Sequence, residues 1–348
     1  MFGRRSHVFN NALGLDIGTA SVVMCTLDKS VIVDEPSVAV VKGEGQDREP
    51  IVYGTQAKMM LGKTPIGLTM VSPLANGVIA DFDLTCSMVK KYMQQSNMVG
   101  TFSRPTVAVG VPAGSTEVDK NAVIDVALQA GAKEVIVVSN SIAAALGNDL
   151  PIKEPTGTMI VSIGAGICEV ASISLGGIAY CDTINIAGNY FDEIITTMLR
   201  MDKQFAVGSV TAEEVKINIG TALAGDKELL MDVKGKNLLT GLPGAMSLSS
   251  REVQKALDEP IMRIVELIHN ALEATPTELI RDIMDNGIIL DGGAAQLRGL
   301  AARLVQELQI PFHVSENPFH SVAIGLAKVL EMSNGKLAIP IEIERIGK

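Results

Sequence analysis

The chain has 348 residues, of which 47% are hydrophobic and 20% are charged, so it is long enough for two domains and too apolar to be disordered. A formal net charge of −10 argues against electrostatic binding of nucleic acid, and we predict no nucleic-acid partner. The four cysteines show no CxxC spacing and no apolar run reaches the roughly 18 residues that span a bilayer, which argues against a metal centre, a disulfide framework and a membrane-spanning protein.

The first part of the chain predicts a strand meander followed by alternating strands and helices. β-branched and apolar residues predict strands within 13–27 and three short strands within 31–54. Ser115 and Thr116 precede a periodic apolar segment that reaches about Ala130, which indicates a capped helix. The other elements predicted in this part are a helix over 84–96, strands over 106–111 and 135–138, and a helix that begins at Ser139 and Asn140.

The second part of the chain repeats this order. The Thr211/Glu214 and Ser249/Glu252 pairs have the spacing of capping boxes, and the long helix after Ser249 is expected to be interrupted at Pro260. Mixed sheets flanked by helices, twice over, predict an α/β fold with an internal duplication. The elements predicted here are strands over 158–163, 168–175 and 177–185, helices over 189–200 and 212–222, a long helix from 250, a strand over 287–291 and a helix over 296–308.

Two segments, residues 13–21 and 159–167, have nearly the same pattern. In each, an apolar strand enters a glycine turn and leaves as a second apolar strand. Because glycine lacks a Cβ atom, backbone amides in such a turn can approach an anion closely. A third glycine turn follows the strand over 287–291. Two facing turns would clamp a polyphosphate in a cleft between the two parts of the chain.

Three glycine turns in this order resemble the ATPase fold shared by actin, the heat-shock chaperones and the sugar kinases. The segments 77–82, 130–135, 188–193 and 214–220 resemble the MreB family of bacterial actin homologues, and the resemblance runs from about residue 12 to residue 332. It implies an actin-like ATPase fold, with two duplicated α/β domains that each carry a smaller subdomain and with the nucleotide in the cleft. The implied subdomains are IA (1–30, 76–148 and 315–348), IB (31–75), IIA (149–183 and 248–314) and IIB (184–247).

The resemblance implies that the cleft binds ATP or ADP together with Mg²⁺. Asp16 would hold Mg²⁺ through water, because this hard cation favours carboxylate oxygen and keeps part of its hydration shell. The implied nucleotide-binding residues are Gly18, Thr19, Ala20 and Ser21 in the first phosphate loop; Gly164, Ala165, Gly166 and Ile167 in the second; Glu213, Glu214, Val215 and Lys216 beside the ribose and adenine; and Gly292, Gly293, Ala294, Ala295 and Gln296 in the adenosine motif. The alternatives that the sequence leaves open are plain hairpin turns for the two loops, a solvated helix face for the residues 213–216, and a strand-to-helix turn without a ligand for the adenosine motif.

The chain departs from the family pattern where water is activated. Asn140 stands where the family has a hydrolytic glutamate, and an amide can orient a water molecule but cannot take its proton. Ser162 replaces the usual aspartate of the second loop, and Ile167 and Cys168 replace two threonines. Glu169 is retained and is expected to point along the next strand. Loss of one general base costs roughly 10²–10⁴-fold in rate, so we predict weak or near-absent ATP hydrolysis.

The family forms membrane-associated double filaments that govern rod or helical cell shape, and the resemblance implies the same for this chain. It implies self-association into double protofilaments, location in the cytoplasm at the inner face of the cell membrane, and paralogous filament proteins as further partners. The segment 2–9, with Phe2 and Phe9 beside Arg4 and Arg5, and the loop 98–102 are predicted to contact an anionic membrane surface. An ordinary tail and an ordinary loop are the alternative.

Other branches of the superfamily remain as alternative functions. A kinase would need a sugar-binding base in the cleft, and no such carboxylate stands out in the sequence. A chaperone-type ATPase would need a further substrate domain. A cell-division relative would place a membrane helix at its C-terminal end, where Pro340 interrupts the apolar pattern.

Overall fold

The computed structural model describes residues 11–43, 45, 48–100, 103–223, 225, 227–334 and 344–347. The predicted membrane segment 2–9, residues 101 and 102 of the predicted membrane loop, and Pro340 lie outside these residues. Within the described part of the chain, no helix combines the length and the apolar character needed to cross a membrane.

Strands and helices alternate along the chain in two similar series. The strands are β1 (Ala12–Ile17), β2 (Ser21–Thr26), β3 (Val31–Pro36), β4 (Ala39–Lys42), β5 (Glu49–Tyr53), β6 (Leu68–Val71), β7 (Leu74–Ala75), β8 (Val78–Ile79), β9 (Thr106–Val111), β10 (Glu134–Ser139), β11 (Thr158–Ile163), β12 (Cys168–Ser174), β13 (Gly177–Ile184), β14 (Phe205–Ala206), β15 (Leu230–Asn237), β16 (Pro243–Ser249), β17 (Ile288–Asp291), β18 (Phe312–Val314) and β19 (Glu344–Gly347). The helices are α1 (Gly54–Met59), α2 (Phe82–Gln95), α3 (Glu117–Ala130), α4 (Asn140–Gly147), α5 (Gly188–Asp202), α6 (Ser209–Ile219), α7 (Ser250–Ala274), α8 (Thr277–Asn286), α9 (Leu300–Leu308) and α10 (Ser321–Asn334).

Two large mixed sheets confirm the predicted duplication. The first sheet has the strand order β19-β10-β9-β1-β2-β3, and the second has the order β13-β12-β11-β17-β18. In each sheet, three consecutive strands form an antiparallel meander, and the first strand of the meander also pairs in parallel with a later strand. The carboxyl ends of the central strands β1, β9, β11 and β17 therefore carry the loops that face the space between the sheets.

Apolar helices cover both sheets and supply the cores. The second sheet packs against α5, α6, α7 and α9 in one continuous cluster that contains the fully buried Phe191. The first sheet packs against α2 and α3 through Met88, Met93 and Val126. α4 and α10 pack against each other, and their apolar residues join both sheets in a third cluster that includes Ile136 and Ile160. This shared cluster connects the two halves beneath the cleft.

Two of the predicted helix caps are confirmed. The Thr116 side chain accepts from the backbone N–H of Asp119, and the Asp119 carboxylate accepts in return from Thr116 at the start of α3. Ser249 and Glu252 form the same reciprocal pair at the start of α7. These bonds satisfy backbone donors that have no partner inside the helix.

Three local predictions are wrong. α6 begins at Ser209 after an extended Gly208, so Thr211 lies inside the helix and caps nothing. α7 continues through Pro260, which is buried on the apolar face, because burial of that face outweighs the one hydrogen bond that proline removes. The helix predicted over 296–308 begins at Leu300, since a 3₁₀ turn over Gly293–Gln296 and the positive φ of 72° at Gly299 delay it.

Two small sheets extend from the large ones. β5-β4-β6 lies within the segment predicted as subdomain IB, and β14-β15-β16 lies largely within the segment predicted as IIB. β3 pairs with β2 in the first large sheet, although the predicted boundary at residue 31 places it in IB. The division into four subdomains stays a prediction.

Candidate functional site

A cleft of about 360 Å³ lies between the two large sheets, at the carboxyl ends of their central strands. Most of the predicted site residues line it together: Asp16, Gly18, Thr19, Ala20, Ser21, Asn140, Ser162, Gly164, Ala165, Gly166, Ile167, Glu213, Lys216, Gly292, Gly293 and Ala294. Glu214, Val215, Ala295 and Gln296 are absent from this lining. Val215 and Ala295 are buried in the core of the second sheet, because they project from the opposite side of their helical turns.

The two predicted phosphate loops have the same backbone geometry. The N–H of Gly18 donates to the carbonyl of Ser21 at 2.9 Å, and the N–H of Gly164 donates to the carbonyl of Ile167 at 3.0 Å. Each bond closes a tight turn between antiparallel strands, β1–β2 in one case and β11–β12 in the other. The sequence repeat is therefore a structural repeat, with Asp16 and Ser162 at equivalent positions.

The two loops meet across the cleft. A Cβ atom built on Gly166 would lie 2.6 Å from Oγ1 of Thr19 and 3.0 Å from the backbone of Asn76, so only glycine allows this approach. Oγ1 of Thr19 in turn accepts from the N–H of Gly77 at 3.0 Å. Contacts between the two halves thus close the end of the cleft where the loops face each other.

The same end of the cleft concentrates negative charge. Burial, together with the nearby charge of Asp291, raises the pKa of Asp16 to about 7. Asp291 is 1% exposed; its carboxylate accepts from Ser321 Oγ at 2.6 Å and from Asn148 Nδ2 at 3.4 Å, and burial raises its pKa. Among the described residues, Lys216 is the one basic side chain in the lining.

This charge distribution fits a hydrated divalent cation. No group of three or more His, Cys, Asp or Glu side chains in the described part of the chain could hold a metal ion by itself. Mg²⁺ ordinarily keeps several waters and binds one or two carboxylates together with phosphate oxygens. Asp16, which is half-buried and has Asp291 as its charged neighbour, supplies the carboxylate that such an ion would neutralise.

The positions that depart from the family pattern lie at this end. Asn140 is the first residue of α4, and its Oδ1 is buried beside Gly110 with no hydrogen-bond partner among the described residues. Ser162 lies near the end of β11. Ile167 reaches Gly77 of the first half, where a Cβ atom built on that glycine would lie 2.9 Å from Ile167 Cδ1. The wall of the cleft is apolar at this point.

Glu169 bridges the two halves, a contact that the sequence did not predict. It lies on β12, as expected for the strand after the loop, and only 2% of its surface is exposed. Its carboxylate accepts from the N–H of Ala113 at 2.8 Å and from the hydroxyl of Ser141, both in the first half. Burial raises its pKa despite these hydrogen bonds. A buried carboxylate with two donors on the other side of the cleft holds the halves together.

Charged residues of α6 form the opposite end of the cleft. Glu213 pairs with Lys58 of α1 at 3.2 Å, which links the two sides at the rim. Lys216 Nζ donates to the Gly188 carbonyl at 2.9 Å and to Asp192 Oδ2 at 2.8 Å. Burial raises the pKa of Asp192, although the charge of Lys216 opposes this. The amine of Lys216 is therefore occupied by protein groups, which leaves its methylene stem for contact with a ligand.

The cleft also contains residues that sequence reasoning missed, notably Ile217 and Phe319. Phe319 belongs to the loop between β18 and α10, which carries no glycine motif and no periodicity. Ile217 follows Lys216 directly in the chain. Only the orientation of α6 in the folded protein shows that Ile217 lines the cleft. No signal in the sequence alone distinguishes these side chains from surface residues.

Comparisons with known proteins agree with this geometry. The family model described as MreB/Mbl protein matches residues 10–337. The cell shape-determining protein MreB of Escherichia coli K12 is 40% identical over 329 residues, which cover 93% of this chain and 94% of that protein. The crystal structure of MreB5 of Spiroplasma citri bound to AMPPNP superposes with a TM-score of 0.87 at 33% identity, over 93% of this chain and 96% of that one. The MamK double helical filament, at 22% identity and a TM-score of 0.78 over 92% of this chain and 98% of that one, shares the fold.

Proposed function

The chain belongs to the MreB/Mbl family, and from this premise we propose that it is an ATP-binding filament protein of the cell-shape cytoskeleton that hydrolyses ATP slowly. One observation carries the proposal. Both phosphate loops keep their turns and face each other, while the positions that would activate water have changed to Asn140, Ser162 and Ile167. Nucleotide binding and hydrolysis depend on different residues, so nucleotide binding is retained while hydrolysis is slowed.

The arrangement of the loops supports nucleotide binding. The turns at Gly18 and Gly164 would direct backbone amides at phosphate oxygens, and Asp16 would hold Mg²⁺ through water. Mg²⁺, when bound, neutralises phosphate charge. Glu213 would accept from ribose hydroxyls, and the fixed stem of Lys216 would lie along the base. The related MreB5 was crystallised with AMPPNP and with ADP, which supports the same ligand class here.

The chemistry of the altered positions supports slow hydrolysis. The attacking water must be oriented and must lose a proton as the bond to phosphorus forms. Asn140 can hydrogen-bond that water, but its amide accepts no proton at neutral pH. Ile167 places methyl groups beside Gly77, where a hydroxyl would position the water. Substrate is held, and the step that needs an activated water is slowed.

The family membership supports a role in cell shape, including helical shape or motility. The Escherichia coli relative is named a cell shape-determining protein, and the family resemblance implies double protofilaments of this chain with itself. Paralogous filament proteins are the further partners that we propose. A filament with slow hydrolysis would keep its nucleotide in the triphosphate state for longer, so its subunits would exchange slowly.

A membrane-facing location, at the inner face of the cell membrane, is part of this proposal. In the loop 98–102, Met98 and Val99 are half-buried against the core of the first sheet, so they contribute to packing. The proposed anchor therefore rests mainly on the residues 2–9, where two phenylalanines accompany two arginines. Several such weak anchors along one filament would act together.

Liposome co-sedimentation tests the membrane contact. The full-length chain and a variant with Phe2→Ser and Phe9→Ser are compared on vesicles with and without anionic lipid, under conditions in which both form filaments. We expect the variant to lose most of its binding to anionic vesicles. Equal sedimentation of the two proteins would remove the membrane from the proposal.

Calorimetry and electron microscopy test the central function. The chain is titrated with ATP and Mg²⁺ and then examined for filaments, alongside Asp16→Ala and the matched control Asp232→Ala, whose exposed carboxylate lies on β15 outside the cleft. We expect filaments from the parent and the control, and weaker Mg²⁺-ATP binding by Asp16→Ala. ATP turnover by particles that never assemble would support a kinase or chaperone-type ATPase instead.

A further inference from the structure

Two large apolar side chains are exposed in the cleft, and none of the residues that the structure describes covers them. Phe319 is 61% exposed and Ile217 is 66% exposed, and both line the cleft. The chain contains only eight phenylalanines, four tyrosines and no tryptophan, and Phe319 is the one aromatic residue that is largely exposed in the part of the chain that the structure describes. Exposure of a whole aromatic side chain to water is unfavourable, so a bound group that covers it gains free energy.

The Phe319 ring lies directly against Gly293. A Cβ atom built on Gly293 would lie 2.7 Å from Cε1 and 3.3 Å from Cδ1 of the ring, so any larger residue at this turn would displace Phe319. Gly293 lies at the carboxyl end of β17, between Gly292 and Ala294, which line the cleft too. The loop before α10 in the first half thus places an aromatic ring on the glycine turn of the second half.

Ile217 lies at the same end of the cleft. The C-terminal end of α6 is held beside the segment that follows Gly293, because Arg298 Nη2 donates to the Asn218 carbonyl at 2.9 Å. Thr221 also forms a backbone bridge with Arg298. Ile217, which follows Lys216 on α6, and Phe319, which packs on Gly293, therefore line the same cleft from segments that these bonds hold together.

The charged groups nearest this region already have protein partners. The Lys216 amine bonds to Gly188 and Asp192, and Glu213 is paired with Lys58 at the rim. What remains for a ligand here is the exposed apolar surface of Ile217 and Phe319 beside the Lys216 stem. A purine base is planar and has a polarisable face, and base–aromatic stacking needs no hydrogen bond to the base edge.

We propose that Phe319 stacks on the purine base of the bound nucleotide and that Ile217 supplies a second apolar contact to it. This inference rests on the proposed function, because it assigns the base to one end of a cleft whose other end would hold the phosphates. Phe319 then determines affinity for the nucleoside part of ATP and leaves phosphate binding unaffected. The contact joins a loop of the first half to a base that would lie beside the glycine turn of the second half.

Tryptophan fluorescence gives a direct readout, since the chain has no tryptophan of its own. In a Phe319→Trp variant of the full chain, ATP with Mg²⁺ is expected to quench the emission, whereas inorganic tripolyphosphate with Mg²⁺ leaves it unchanged. The matched control is Leu239→Trp, at an exposed position of the β15–β16 hairpin outside the cleft. Quenching absent from Phe319→Trp, or equally strong in both variants, would overturn the proposal.

Affinities give the second measurement. Phe319→Ala is expected to weaken ATP binding by about 5- to 150-fold, the range for loss of one base–aromatic stack. Phe319→Tyr should restore most of this loss, and tripolyphosphate should bind all variants equally. Unchanged ATP affinity in Phe319→Ala, or an equal loss for tripolyphosphate, contradicts stacking. Failure of the parent chain to bind ATP at all would instead refute the proposed function.

Discussion

In the proposed function, single residues decide what happens to water at the end of the cleft that would hold the phosphates. Asn140 leaves its side-chain oxygen buried beside Gly110 without a partner among the described residues, and Ile167 lies against Gly77. Neither side chain can take a proton from water, and the isoleucine cannot bind water at all. The changes are therefore cumulative, because each removes a different requirement of the same step.

A triple substitution tests this view. Asn140→Glu supplies a proton acceptor, Ser162→Asp supplies a second carboxylate, and Ile167→Thr replaces the methyl groups with a hydroxyl. We expect the triple variant to release phosphate at least about tenfold faster than the parent, since one general base alone is worth roughly 10²–10⁴-fold. Phosphate release is measured at saturating ATP, with ATP affinity as the control. A triple variant no faster than the parent would show that something else limits hydrolysis.

Glu169 makes stability depend on pH. Burial raises its pKa above the ordinary value, so the folded protein keeps this proton at a pH where the unfolded chain has lost it. Between the unfolded and the folded pKa, the native state binds more protons, and the contribution of Glu169 to stability falls as the pH rises. We expect Glu169→Gln, which does not titrate, to become progressively more stable relative to the parent as the pH increases.

Denaturant unfolding at several pH values between about 5 and about 8 measures this difference. Glu278→Gln, at an exposed position of α8, serves as the matched control. The expected result is a gain in the relative stability of Glu169→Gln as the pH rises. If the difference in the free energy of unfolding between Glu169→Gln and the parent stayed constant across this pH range, Glu169 would have the same pKa in the folded and the unfolded protein.

At the scale of elements, two similar sequence signatures have different structural consequences. Thr116 and Asp119 form a reciprocal cap at the start of α3, whereas Thr211, which has the same spacing to Glu214, lies inside α6. The difference arises because the extended Gly208 precedes α6 and the helix starts directly after it, two residues before Thr211. The backbone is already helical at Thr211, so the Thr211 side chain has no free helix end to cap.

Matched threonine substitutions separate the two cases. Thr116→Ala should lower the free energy of unfolding by about 0.5–2 kcal/mol, because backbone donors of α3 lose their cap. Thr211→Ala should change it by less than about 0.5 kcal/mol, as expected for a position that caps nothing. Equilibrium denaturation of both variants measures the difference. If both variants lost the same free energy of unfolding, the Thr116 cap would not stabilise α3.

At the scale of the whole molecule, the sequence is informative where a pattern is local. The repeated strand–turn–strand segments predict the duplicated sheets and both glycine turns of the cleft, since glycine turns and apolar strands are readable within about ten residues of chain. The small sheet β14-β15-β16 is not predicted, because polar residues and glycines occupy many positions of β15 and β16 and hide the alternation in burial that the structure shows along β15.

Contacts between distant segments could not be predicted. The hydrogen bonds from Ala113 and Ser141 to Glu169, and the packing of Phe319 on Gly293, join residues that only the assembled fold brings together. The course of α7 through its internal proline has a similar origin, since burial against the second sheet decides it. These features depend on tertiary packing, which no local spacing encodes.

The central claim is that this chain binds ATP and assembles while its hydrolytic chemistry is impaired. The most direct test follows light scattering and phosphate release in one sample after ATP and Mg²⁺ are added, with the Escherichia coli relative assayed in parallel. We expect assembly with phosphate release on the order of 10²-fold slower than that of a family member that retains the glutamate. Release at the relative's rate, or no assembly and no bound nucleotide, would contradict it.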